Sequence, residues 1–209
     1  MTEHLSDLPV ADVYYARIPH EGAVEAVYPD EREQEIATCR NERVKREKYY
    51  VWRLLEYALE QSLGVSLREA APRKNDNKKW VSDACFFSLS HSGEIVAVAV
   101  SHAPIGVDVE GCERERYEMI ASHILTENER AEYEAMPSDV KKMQYVMQAW
   151  TQKESLFKRA DLRAFIPTQY DTVNADVQTW EILIGESAYF LSVAGDPLAR
   201  LCVKEVTIQ

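Results

Sequence analysis

Two stretches of this sequence repeat one pattern and restrict the folds open to the chain. "AVAVSHAPIGVDVE" (residues 97–110) and "FLSVAGDPLARLCV" (190–203) each read as apolar strand, short turn with a proline, second strand. Aligning Pro104 with Pro197 sets Val98 on Leu191 and Val100 on Val193. Each stretch follows a helical pattern with an aromatic and apolar stripe, "YVWRLLEYAL" and "YVMQAWTQKESLF". A repeated helix, strand, turn, strand unit predicts two similar halves related by a pseudo-twofold, each a small antiparallel sheet packed on a long helix. The class is α/β in the broad sense (α+β). We place the halves at 1–105 and 106–209, with a seam between them where a ligand can lie.

The remaining elements follow from periodicity and punctuation. A strand is expected at Asp12 to Arg17, an acidic helix around Asp30 to Thr38, and a long helix from about Glu42 to Leu63 ended by Gly64. The polar run "APRKNDNKKW" reads as a loop. An acidic helical segment from about Glu113 to Met136 breaks near Leu125-Thr126, and a helix spans about Asp139 to Ala160. A strand-rich tail runs from Thr179 to the end.

The 209 residues can bury a sizeable core. No segment approaches the roughly 18–20 apolar residues of a membrane span, and "MTEHLSDLPV" lacks the basic and apolar regions of a signal peptide. A cytoplasmic, monomeric protein is expected, not inserted in membranes. Cys39, Cys85, Cys112 and Cys202 are scattered without a CxxC pair, so they read as reduced packing thiols.

A net charge of −11 argues against nucleic acid as a partner. Positive charge is nevertheless concentrated in "RNERVKREKYYVWR", with Arg40, Arg43, Arg46 and Arg53, and again in Arg73, Lys74, Lys78 and Lys79. Such clusters form either a solvated helix face or a pocket for a small polyanion.

Asp108 and Glu110 sit at i and i+2, so alternation sends both to one face of a strand. Alone, such a pair is also what a strand end reaching solvent would show. In the later helix, Met143, Met147, Trp150, Glu154 and Phe157 recur at +4, +3, +4 and +3, which puts Glu154 where a core residue is expected. A carboxylate there needs a cation or a donor. Three carboxylates with open positions suit Mg²⁺, and Lys158, one turn beyond Glu154, adds a cation facing the same way. "SLSHSG" supplies Ser90, His91 and Ser92. Neighbours on a strand point apart, so Ser-His is no catalytic triad, yet both can donate to a phosphate.

"FSLSHSG", "PIGVDVE" and "WTQKESLFK", in this order and spacing, resemble the signature of the 4′-phosphopantetheinyl transferases, in the larger single-chain class that acts on carrier proteins of peptide and polyketide synthetases. The resemblance runs from about Arg40 to the C-terminal strands. It implies a pseudo-twofold fold with coenzyme A between the halves. It also implies Mg²⁺-dependent transfer of the phosphopantetheine arm to a serine of an apo acyl or peptidyl carrier protein, releasing adenosine 3′,5′-bisphosphate. Asp108, Glu110 and Glu154 would hold Mg²⁺, and Glu154 would also act as base. Ser90 and His91 would contact coenzyme A phosphates, Lys158 the diphosphate, and Arg53 with the Arg40, Arg43 and Arg46 cluster the nucleotide end. Lys78 corresponds to the lysine of a Gly-Lys-Pro motif, with Asn77 and Lys79 departing from the flanking residues. Glu129 corresponds to an acidic position near the site. The N-terminal half would thus bind phosphates and the C-terminal half carry the metal and catalytic residues. The competing readings are a non-catalytic coenzyme A or carrier-protein binding module and a Mg²⁺-dependent nucleotide diphosphate hydrolase.

Overall fold

A computed structural model describes residues 10–112, 115, 117–197 and 199–208. The predicted start of the acidic segment at Glu113 lies outside the described residues, as do the first nine residues and the last. The described residues form a mixed α+β fold with six α-helices. In order come β1 (Val10–Arg17), α1 (Asp30–Ala37), α2 (Glu42–Leu63), α3 (Leu67–Ala70), β2 (Arg73–Lys74), β3 (Trp80–Val81), β4 (Phe86–Ser92), β5 (Ile95–Ser101) and β6 (Gly106–Gly111). Then follow α4 (Tyr117–Ile124), α5 (Glu127–Ala135), α6 (Asp139–Ala160), β7 (Gln178–Ile184), β8 (Ser187–Ala194) and β9 (Arg200–Glu205).

The helix limits have local causes. The Asn41 side chain accepts from the Val44 amide at the start of α2, and Gly64 closes that helix in the left-handed region at φ 65°. Ser138 caps α6 in the same way through the Lys141 amide. Thr126 and Glu129 form a capping box that opens α5, which explains the break in the acidic segment. The predicted loop at 71–80 closes as a short hairpin, because Arg73 pairs with Val81 and Lys74 with Trp80.

The two larger sheets are ordered β4-β5-β1-β9 and β6-β8-β7, so β9, from the expected C-terminal half, joins the sheet of the N-terminal one. Among the described residues all pairs of these sheets are antiparallel except β1 with β9, which run parallel after the chain returns from the second sheet to the first. Helix α2 covers the outer face of the first sheet, where Leu54, Leu55, Ala58 and Leu59 share a cluster with Tyr14, Val96, Val98 and Val100. The inner faces share a second cluster. Small residues of the first sheet (Ala11, Ala97, Ala99) meet larger ones of the second (Val107, Val109, Leu191, Val193).

That division corrects the alignment of the two repeats. Val98 and Val100 face α2, whereas Leu191 and Val193 face the inter-sheet cluster, so pairing them crosses faces. The side chains of β8 turned to α6 are Phe190, beside Met147, and Ser192, bonded to Thr151. A shift of one residue restores like with like. Both faces of β5 and most of β8 are buried, so neither strand alternates in polarity to mark its register.

The α6 stripe also differs from expectation. Its buried positions are Val146, Met147, Ala149, Thr151, Lys153 and Ser155, while Glu154 lies at the margin with its side chain 25% exposed. Phe165, from the segment after α6, packs on Trp150 and Phe157 and covers the stripe that holds Glu154.

Helix α6 reaches β6 at unusually close range. A Cβ on Gly106 would stand 2.6 Å from the Arg159 amide nitrogen and overlap the Ser155 carbonyl oxygen, both backbone atoms that cannot rotate away. Gly106→Ala is therefore expected to push α6 off β6 and destabilise the protein by about 3 kcal/mol or more, the upper range for overpacking a close contact. Thermal or urea unfolding checks this, and a variant with wild-type stability contradicts the close packing.

Candidate functional site

Three serines of β4 tie it to the neighbouring strand β6 across the seam. The Ser88 and Ser90 hydroxyls accept from the Val107 and Val109 amides at 2.9 and 3.2 Å. The Ser90 hydroxyl then donates to Asp108 Oδ1 at 2.7 Å, and Ser92 donates to Glu110 Oε2 at 2.7 Å. One edge of β6 pairs with β8 and the other takes these hydroxyls, so its backbone amides are satisfied on both sides. Since Val107 and Val109 belong to the inter-sheet cluster, Asp108 and Glu110 share the opposite face, as alternation requires.

That face meets the last turns of α6. Lys158 Nζ lies 2.7 Å from Asp108 Oδ1, 3.2 Å from Ser90 Oγ and 3.9 Å from Glu154 Oε2. The glycine at 106 admits the helix closely enough for Lys158 to reach the strand. Asp108 is 3% exposed, and its Oδ2 is buried without a hydrogen-bond partner. Burial pushes the Asp108 carboxyl up against the opposing pull of Lys158 and Ser90. Glu154 is pushed up to about 7, first by burial and then by the charge of Asp108, with Lys158 acting the other way and Glu110 adding to the rise.

Asp108, Glu154, Lys158 and Ser90 therefore form one constellation, with Glu110 beside it. No group of three His, Cys, Asp or Glu among the described residues is drawn together as a metal cage. An ammonium group, Lys158, holds the only hydrogen-bonded oxygen of Asp108 instead. The donor chemistry nevertheless fits a hard divalent cation. Asp108 offers a buried, unpartnered carboxylate oxygen, and Glu154 feels the accumulated negative charge of Asp108 and Glu110.

The other candidates are placed apart. His91 projects from the opposite face of β4 to Ser90, toward α2, with Nδ1 3.2 Å from Glu47 Oε2. Burial lowers its pKa against the pull of Glu47. Arg43 binds the same glutamate at 2.8 Å. The Arg46 guanidinium donates to the Gly22 and Pro19 carbonyls and stacks on Tyr50, so it braces the segment after β1. Arg53 pairs with Glu56 at 2.6 Å.

Glu129 is wholly buried in an ion pair with Lys153 at 2.7 Å, and it accepts from the Thr172 amide and hydroxyl. Lys153 also donates to the Pro167 and Tyr170 carbonyls. This pair fixes the segment after α6 and so belongs to the frame of the site. Lys153 was not singled out in the sequence, although its i−1 position to Glu154 in "QKES" was the available signal.

A cavity of about 550 Å³ opens along the seam, with Lys158 in its lining. Its walls are largely apolar, with Trp80, Phe87 and Ile105 among them, and Lys78, Lys79 and Arg159 add positive charge. Lys78 is exposed at this cavity, in the left-handed region at φ 62°. The four cysteines are free, and no helix among the described residues is long and apolar enough to cross a membrane.

The raised Glu154 pKa carries a signed pH dependence. Between its ordinary value of 4.5 and about 7, the folded chain keeps a proton that the unfolded chain gives up. Stability from this group is full below 4.5 and is lost as pH rises to about 7. Glu154→Gln removes that loss. In EDTA, its melting curve should match wild type in acid and exceed it at pH 8 by on the order of 2 kcal/mol. A difference independent of pH contradicts the assignment.

No curated protein matches the chain. Residues 104–188 match the family model of the 4′-phosphopantetheinyl transferase superfamily (ACPS), which supports a transferase of that general kind. The matched stretch starts at the turn before β6 and contains Asp108, Glu110, Glu154 and Lys158.

Proposed function

We propose that the protein transfers the 4′-phosphopantetheine arm of coenzyme A to a serine of an apo acyl or peptidyl carrier protein, as a member of the larger single-chain class. The observation that carries this reading is the meeting of Asp108 and Glu154 with Lys158, which itself lines the seam cavity, within the stretch matching the superfamily. The apolar walls suit the adenine and pantetheine parts of coenzyme A, and the lysines suit its phosphates.

In this reading Lys158 binds the diphosphate, held in place by Asp108 and Ser90. Glu154 accepts the proton of the carrier serine. The serine oxygen forms a bond to the β-phosphorus, the phosphoanhydride bond breaks, and its oxygen leaves on adenosine 3′,5′-bisphosphate. Asp108, Glu110 and Glu154 would hold Mg²⁺, which offsets diphosphate charge when bound. His91 and Arg43, which meet at Glu47, are the candidates for the 3′-phosphate, with Arg53 further along α2.

The test is incubation of a panel of apo carrier proteins with the enzyme, coenzyme A and Mg²⁺, read by intact mass. At least one carrier should gain a single phosphopantetheine arm. Asp108→Ala should lose activity at ordinary Mg²⁺, and Glu154→Gln should slow single turnover by about 10²-fold or more while still binding coenzyme A. Unmodified peptide, polyketide and fatty-acid carriers, or full activity of Asp108→Ala, would overturn the proposal.

A further inference from the structure

The hairpin between β2 and β3 reaches across the seam and grips the end of α6. Asn75 Nδ2 donates to Asp161 Oδ2 at 2.9 Å, Asn77 Nδ2 donates to the Asp161 carbonyl at 2.7 Å, and Lys79 Nζ lies 3.5 Å from Asp161 Oδ1. Lys79 also stands 4.3 Å from the centre of the Phe157 ring. These contacts join segments some 80 residues apart in sequence, and residues of both segments line the seam cavity. Within the hairpin, Asn77 and Lys79 are the residues that depart from the motif around Lys78, and both are used for this grip.

The grip is built with its partners pre-oriented. Asn75 Oδ1 accepts from the Asn77 and Lys79 amides at 3.0 Å each, so the amide must present its NH₂ outward to a carboxylate. Asp161 is the C-cap of α6 at φ 50°, a conformation that Asp tolerates better than most residues. Its carbonyl and carboxylate therefore project beyond the helix end, where the helix dipole also favours the Lys79 ammonium.

We infer that Asn75, Asn77, Lys79 and Asp161 form a latch across the seam, which sets how tightly the cavity retains its ligand by fixing the hairpin cations against the Lys158 end. This rests on the reading of the cavity as the coenzyme A site. The latch acts on binding and lies apart from the carboxylates proposed for the chemistry. A loosened latch should raise the ligand dissociation constant and leave the rate at saturation unchanged.

A charge swap tests it. Asn75→Asp keeps the oxygen that braces the hairpin but turns a second carboxylate toward Asp161. It should weaken coenzyme A binding by about tenfold in isothermal titration, as expected for a charged hydrogen bond replaced by repulsion. Single turnover of a carrier at saturating coenzyme A should stay within about threefold of wild type, the split expected when only binding is lost. Asn75→Asp combined with Asp161→Asn restores a donor facing an acceptor, and should recover most of the lost affinity. Asp161→Gly, which suits the left-handed backbone, should weaken binding without recovery. If wild type binds coenzyme A and Asn75→Asp binds it equally, or the swap gives no recovery, the latch is overturned alone. If wild type does not bind coenzyme A, the reading of the cavity falls and the latch with it.

Discussion

Asp108 is a carboxylate almost wholly removed from water, and a charge so placed is stable only where cations and donors surround it. Ser90 from one half and Lys158 from the other supply that surrounding on a single oxygen, leaving the second without a protein donor. The seam is therefore held in part by an interaction that is incomplete. A fully satisfied buried pair would serve as structure alone, as Lys153 and Glu129 do on the neighbouring face of the same helix. Two of the lysines of α6 thus differ in role, Lys153 locked inside the frame and Lys158 lining a cavity.

The two halves resemble each other in topology and differ in how helix meets sheet. Helix α2 lays leucines on valines, an apolar contact that excludes water and carries no charge. Helix α6 meets its sheet through Met147 on Phe190, a hydroxyl bond between Thr151 and Ser192 at 2.9 Å, and its own backbone at Ser155 against a glycine at the closest approach. Small polar side chains bring the helix backbone nearer than leucines would. That proximity lets the short reach from α6 to β6 be spanned by Lys158, and it puts Glu154 close enough to Asp108 and Glu110 to feel their charge. On this side the buried Lys153 and Glu129 pair fixes the segment after α6, and Phe165 from that segment covers Trp150 and Phe157.

Much of this was legible in the residues. Both long helices begin and end at capping residues the sequence displays, and the i, i+2 carboxylates do share one face. Lys158 facing Glu154 followed from helical spacing alone. The strand register was not legible, because β5 and β8 are buried on both faces and periodicity carries no signal there. The burial of α6 departs from its helical stripe for a related reason. Periodicity selects a stripe of large residues, whereas the closest packing used Thr151 and Ser155, and the cover over Trp150 and Phe157 comes from a later segment. Ser90 and His91 adjoin in sequence but serve opposite faces of β4, one on the seam and one on α2. Long-range partners such as Asp161 for Asn75 and Asn77 leave no local trace.

We propose that the incomplete coordination of Asp108 marks a cation site, which Lys158 partly occupies. Crystals soaked with Mn²⁺ and coenzyme A, measured for anomalous scattering, test it most directly. A manganese peak is expected in coordination distance of Asp108 Oδ2 with Glu110 and Glu154 around it, and Lys158 turned to the diphosphate. A bound coenzyme A with no peak at these carboxylates, and Lys158 still on Asp108, would contradict it.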